Sequence, residues 1–525
     1  MRKIYIFSIV LLTNFLHSSV LSQVKLPKII SDNMVLQQNS QATLWGWAQG
    51  KVIVKPQWTT EQFSTLADKD GNWSIKFNTC SAGGPYDIQI SDSNSKVILK
   101  DVMLGEVWLC SGQSNMQFPV LRDENAKTEI ALAKYPNIRL FTVEPDYSTE
   151  PKTDCNGIWQ KCDSNSVKEF SAVGYFFGKE LYANLNVPIG LIDSSWGGTP
   201  AESWVKSSLL EKDEDFRPIL DRDIVILNNQ ETYKKQYEDM LKEWQAKVEE
   251  AKKLEKKAPA KPFPPAGMRP QNRAGRLYNA MIHPLIPLTI KGVIWYQGES
   301  NVDRAYQYRK LFAALIENWR NDWGLGNFPF YFVQLTNFYE QTPDNHPPYW
   351  PTKNLPTESD WAELREAQFD TLKIPNTGMI VSIDLGEPYD IHPKNKHDIG
   401  KRLALWAMAQ TYGFTNVVYS GPLYKNMKIE DDKIRIYYNN TGSGLSAHGE
   451  SLLGFAIAGN DKKFVWANSK IENDTVVVWS DNVKKPVAVR YAWSNWAYCN
   501  LFNKEGLPAS PFRTDNWEQI TQNKR

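Results

Sequence analysis

From residue 107 to residue 384 the chain repeats one alternation: a short, continuously apolar run, then a stretch with helical periodicity. The runs are VWLC (107–110), IRLFTV (138–143), IGLIDSS (189–195), GVIWYQ (292–297), FYFVQL (330–335) and MIVSID (379–384). A strand that is apolar at every position, not at alternate ones, must be covered on both faces, as in a parallel sheet layered between helices. An α/β core over residues 103–412 is therefore expected. At 525 residues the chain exceeds one ordinary core, so further domains must flank it. Residues 23–102 carry short alternating segments (ATLWGW, KVIVKPQW, WSIKF, YDIQI, KVILK) separated by the turn chemistry of DKDGN, SAGGP and SDSNS, which predicts a sandwich-like N-terminal β module. The strand pattern returns in residues 413–525 (KIRIYYNN, KFVWANSKI, DTVVVWS, AVRYAWS) and predicts a second such module. One segment breaks the rhythm. Residues 231–257 form a highly charged helical stretch followed by APAKPFPPAGMRP, an inserted excursion with a solvated face and a proline-rich return.

Composition excludes several roles. The 60 basic residues balance 59 acidic ones, for a formal charge of +1, so no net field favours nucleic acid or an anionic membrane surface. The N-terminus (Arg2, Lys3, an apolar run over 4–16, then HSSVLSQ) reads as a signal peptide cleaved after Ser22, which places the mature chain in a periplasm or outside the cell. The apolar run is short for a membrane span, and no lipid-accepting cysteine follows it. Of the five cysteines, Cys155 and Cys162 are spaced to clip a short loop or else stay as free buried thiols. No Cys or His spacing suggests zinc. The 20 tryptophans suit flat contacts with pyranose rings as well as core packing.

The stretch EVWLCSGQSNMQF (106–118) ends an apolar strand in small polar residues around Ser114. Chemistry in a parallel α/β sheet collects beyond the carboxyl ends of its strands. A serine hydroxyl there needs a base within hydrogen-bond reach and donors for a developing oxyanion. The chain has six histidines. His17 leaves with the signal peptide, His283 has an apolar setting, and His346 and His448 fall in an irregular loop and in the C-terminal module. His392 and His397 follow the last apolar strand, on the sheet edge expected to carry Ser114. His392 stands two residues after Asp390 and immediately before Pro393, in a fixed loop, and is the preferred base. Donors are offered by Gly197 and Gly198, whose freedom in φ lets backbone N–H groups turn inward, and by the amide of Gln297 beside Gly298.

The blocks GQSNM (112–116), SSWGGTPAESW (194–204), WYQGESN (295–301) and DIHPKNK (390–396), in this order, resemble the sialate O-acetylesterases within the SGNH-type hydrolases. The resemblance runs from about Val24 into the last β module. It implies a flavodoxin-like hydrolase core with β modules attached, and removal of O-acetyl groups from sialic acid without metal or cofactor. It makes Ser114 the nucleophile and His392 the general base, with Gln297 and the backbone of Ser114 and of Gly197 or Gly198 as the oxyanion hole. The chain departs from the wider SGNH pattern in having GQS for GDS, QGES in the third block where an asparagine is usual, and Tyr389 three residues before the histidine. Asp390 is the acid candidate in its place; a backbone carbonyl, Asp384, Glu387 or no acid at all are the alternatives. Glu299 is expected to hydrogen-bond the serine loop or to touch a sugar hydroxyl. Trp196 and Trp295 serve as sugar platforms or as packing beneath the site, and Arg365 is structural. The competing readings are the same chemistry on acetylated xylan or xyloglucan, a carbohydrate-binding protein with an inactive core, and a scaffold acting through the charged helix.

Overall fold

The computed structural model describes residues 23–339 and 356–525; the expected signal peptide, with His17, and the loop histidine His346 lie outside them. The six apolar runs become parallel strands. In chain order the core strands are β1 (Lys96–Gly112), β2 (Lys134–Thr142), β3 (Trp159–Asp163), β4 (Ile189–Ser195), β5 (Gly292–Tyr296), β6 (Phe330–Val333) and β7 (Thr377–Ile380). Their order across the sheet is β7-β6-β5-β1-β4-β2-β3, parallel throughout except for the antiparallel edge pair β2/β3. Every residue of β4, β5 and β6 is buried, as an apolar run without alternation requires.

Helices cover both faces. On one, α1 (Ala172–Leu185) and α6 (His397–Trp406) pack closely enough that a Cβ on Gly400 would lie 2.6 Å from Cβ of Phe176. On the other, α4 (Ala305–Trp323) lays Phe312 and Trp319 against Trp295 and Phe330, with α5 (Asp360–Asp370) beside it. The helix boundaries follow local chemistry. Ser171 caps α1 by accepting from the Gly174 N–H, Asn186 ends it in the left-handed conformation, and Gly324 ends α4 the same way. Between β4 and β5 lie α2 (Arg217–Asn228) and α3 (Gln230–Lys253); the charged excursion forms α3, which buries no residue. It is held by its own return, through the Trp244 indole donating to the Pro259 carbonyl and the Tyr233 ring lying against Gly267.

The N-terminal module is not separate from the core. Its strand Gly83–Ser91 pairs antiparallel with the first half of β1, while the second half pairs parallel with β4 and β5. The expected boundary at residue 102 thus falls inside one 17-residue strand, and the sheet is continuous across it. The C-terminal module holds two four-stranded sheets, each with antiparallel neighbours. All five cysteines are free, so the loop clip between Cys155 and Cys162 is not formed. Among the described residues no helix is long and apolar enough to cross a membrane.

Candidate active site

The register of the sheet places three loops at one level. Ser195 at the end of β4 and Tyr296 at the end of β5 both pair with Gly112 at the end of β1. The chain leaves β4 and β5 on either side of the point where β1 turns into the helical turn Ser114–Gln117. Gly112 makes that turn possible, because its φ is +141° and a Cβ there would meet the Tyr296 carbonyl oxygen at 2.2 Å. Only a residue without a side chain lets β1 and β5 stay paired up to the turn that carries Ser114.

Ser114 Oγ lies 2.8 Å from His392 Nε2, a hydrogen-bond distance across 278 residues of chain. The loop that delivers His392 is fixed at its start by Arg402 of α6, which grips Asp384 with two 2.7 Å bonds and also donates to the Val381 carbonyl at 2.7 Å. Asp384 is therefore committed elsewhere. Glu387 is likewise committed, accepting the Lys394 backbone N–H at 2.8 Å. Asp390 is the acid candidate that faces the imidazole. Its Oδ1 accepts the His392 backbone N–H at 2.9 Å and stands 3.6 Å from Nδ1, an ion-pair distance longer than a hydrogen bond. Burial pushes His392 below the usual imidazole range; Asp390 opposes that push, and Lys396 and Arg122 reinforce it. The ring is thus kept neutral and able to accept a proton.

Beneath this pair lies a polar layer. The Asn115 amide donates to Glu299 Oε1 at 2.5 Å and to the Ile391 carbonyl at 3.0 Å, and its Oδ1 accepts from Lys396 Nζ at 2.7 Å. Glu299 meets the serine turn through Asn115, and burial raises its carboxyl above the ordinary range. Its Oε2 is enclosed without a partner.

The two glycines of the second block part company. Gly197 abuts Ser114, with an added Cβ 3.1 Å from Ser114 Cβ, and its N–H donates to Gln117 Oε1 at 2.8 Å. Gly198 (φ +72°) is exposed, and its carbonyl accepts from Asn272. Gly197→Ala is accordingly expected to cost about 10²-fold in kcat, since the new methyl displaces Ser114 while the N–H remains; turnover and thermal melting of the variant, measured together, check this.

One expectation needs correction, and one pair of alternatives is resolved. Gln297 is fully buried, and both hydrogens of its amide are taken, by Asn301 Oδ1 at 2.7 Å and the Thr199 carbonyl at 3.3 Å. It braces the second block against the third and has no donor left for an oxyanion. Trp295 is also fully buried, in edge contact with Trp204 and Trp319, and offers no face to a sugar. Trp196 stays half-buried at the rim. The structure adds Asn115, Gln117 and Lys396. Two of them stand inside the quoted blocks and Gln117 directly follows one, but a side chain's aim within a loop leaves no periodic signal.

A serine hydrogen-bonded to an imidazole at the carboxyl ends of a parallel α/β sheet is an arrangement shared by serine hydrolases. The sequence matches the family model described as carbohydrate esterase, sialic acid-specific acetylesterase, over residues 104–257 and 267–409; the gap falls in the proline-rich return. It is 30% identical to sialate O-acetylesterase of Mus musculus over 92% of this chain and 93% of that protein. It is 29% identical to the Homo sapiens sialate O-acetylesterase over 92% and 91%. The crystal structure of a carbohydrate acetylesterase from Xanthomonas citri superposes with a TM-score of 0.78 at 35% identity, covering 94% of this chain and all of that one. The chain belongs to the sialic acid-specific acetylesterase family of carbohydrate esterases.

Proposed function

We propose that this esterase removes O-acetyl groups from sialic acids through an acyl-enzyme on Ser114, with His392 as general acid and base. The observation that carries the reading is the 2.8 Å contact between Ser114 Oγ and His392 Nε2. The sheet order supports it: β4-β1-β5-β6-β7, counted from the first core strand without the β2/β3 edge, is the 2-1-3-4-5 order of a flavodoxin-like core. Its switch point lies beside β1, where Ser114 stands, in keeping with an SGNH-type hydrolase.

In the forward step the Ser114 oxygen bonds to the acetyl carbonyl carbon as its proton passes to Nε2. The carbonyl oxygen takes the negative charge and receives hydrogen bonds from the backbone N–H groups of Ser114 and Gly197, the latter exchanging its bond to Gln117 for one to the oxyanion. His392 then gives its proton to the departing sugar oxygen as the ester bond breaks. Water repeats the sequence on the acyl-serine and releases acetate. Asp390 attracts the imidazolium formed midway. The segment 1–22 fits export, so the enzyme would meet its substrate in a periplasm or outside the cell.

The test is acetate release by the purified mature chain from O-acetylated sialic acid and, in parallel, from acetylated xylan. Release from the sialoside supports the reading; release from xylan alone keeps the chemistry and overturns the substrate. The acid limb supplies a further expectation. His392 must be neutral to act as base, and its pKa is depressed. The kcat/KM profile should therefore bend below pH 6.5 and fall tenfold per unit beneath the bend. A bend at or above 7 would contradict the assignment of His392.

A further inference from the structure

Lys396 is 0% exposed, yet among the described residues its ammonium makes one hydrogen bond, to Asn115 Oδ1, and otherwise faces the rings of Phe118 (4.7 Å) and Tyr296 (5.5 Å). Among the described residues no carboxylate lies within ion-pair distance of it; Glu387 and Asp384 pair instead with Lys394 and Arg402, and Glu299 and Asp123 act on it only as nearby charges. Removing an ammonium from water carries a large desolvation cost, and apolar residues of similar volume often replace buried charges without loss of stability. The two aromatic faces offset part of that cost. The bonding accounts for a lysine in preference to an apolar residue. The Asn115 amide that receives the ammonium donates at its other end to Glu299 and to the Ile391 carbonyl. Asn115 follows the nucleophile directly, and Ile391 precedes the base directly. One carboxamide, polarised from both ends by opposite charges, thus ties the turn bearing Ser114 to the loop bearing His392.

We propose that Lys396 is a positioning residue of this esterase: through Asn115 its ammonium holds the nucleophile turn and the histidine loop in register, and its charge opposes protonation of His392. The proposal rests on the assignment of Ser114 and His392 above. The charged and titratable groups around Lys396 are Asp123, beside Arg122 after the nucleophile turn, Glu299 and Tyr296 at the end of β5, and Glu387, Asp390 and His392 on its own loop. His397 opens α6 on the far side of Asp123. Of these, Lys396 and Arg122 depress His392, and Asp390 raises it. Burial lowers Lys396 itself to about 7, with Glu299 and Asp123 the main groups resisting. Below about pH 7 the ammonium is charged, so its repulsion acts in the range where His392 would otherwise gain a proton.

The experiment compares wild type, Lys396→Met and Ser114→Ala as full-length mature chains. Lys396→Met is expected to melt at or above the wild-type temperature, to lose about tenfold or more in kcat with KM little changed, and to bend its acid limb roughly half a pH unit higher. A purely structural lysine would lower the melting temperature and leave the limb in place. An unshifted limb overturns the proposal. Should Lys396→Met fail to fold, the imidazole nitrogens of His392 are titrated by NMR in the wild-type chain; a second small inflection near pH 7, where Lys396 loses its proton, is expected, and its absence overturns the proposal. An active Ser114→Ala would instead overturn the underlying assignment, which separates the two failures.

Discussion

Ser114→Ala is expected to lower the rate of acetate release by about 10⁴-fold or more while leaving the fold intact. The hydroxyl forms the covalent bond in the proposed reaction, and no other side chain stands at hydrogen-bond distance from His392 Nε2 among the described residues. The side chain is only half-buried, so the lost oxygen leaves little cavity and melting should be nearly unchanged. The residual rate would come from a water at the same place, with the backbone donors still present. Mass spectrometry of wild type quenched during turnover should show an acetyl group on the peptide holding Ser114. A Ser114→Ala chain retaining a tenth of wild-type activity would remove the serine from the mechanism.

The second large effect concerns stability. Arg365 of α5 is 0% exposed and makes five hydrogen bonds: to the carbonyls of Leu335 (2.9 Å) and Thr336 (2.7 Å), to Asn337 Oδ1 (3.1 Å), and to the carbonyls of Ser494 (2.8 Å) and Asn495 (3.3 Å). Its acceptors are backbone oxygens and an amide, not carboxylates, and burial lowers its pKa to about 9. The first three acceptors follow β6 and the last two belong to the C-terminal module, so one guanidinium joins the core to that module. Arg365→Leu should cost about 3–5 kcal/mol, because the carbonyls stay buried without donors. A lower urea midpoint measures it. Arg365→Lys should rescue little, since an ammonium cannot span both sets of carbonyls. A wild-type midpoint in Arg365→Leu would show that the two parts are held by other contacts.

Those two residues illustrate what can be seen in a sequence. Ser114 is legible because its surroundings are local: an apolar strand, a glycine and small polar residues in one run of thirteen. The parallel core is legible for a similar reason, since burial on both faces writes itself into consecutive residues. Arg365 is less so. A lone arginine in a helix looks the same whether it meets water or five oxygens, because its partners come from loops 30 and 129 residues away.

The miss at the site has the same origin. Gln297 was expected to face the crevice because it flanks it in sequence, and of the two places open to Trp295 the structure takes the buried one; both side chains are fully buried. At a strand end, neighbouring side chains leave on opposite faces, and the register with adjacent strands decides which one reaches the crevice. β1 runs on across residue 102 because it keeps a β pattern while its partners change from antiparallel to parallel, and hydropathy does not record the direction of a neighbour.

Sequence alone therefore determined the layered α/β core, the flanking β modules, the order of the four blocks and the candidacy of Ser114 and His392, all of which depend on residue type and short-range spacing. Tertiary structure decided that the two meet at 2.8 Å, that Gly197 and not Gly198 borders Ser114, and that Lys396 reaches Asn115 next to it. These are relations between segments brought together by strand pairing, and their energies depend on distance and burial, quantities that arise only when the sheet closes the chain upon itself.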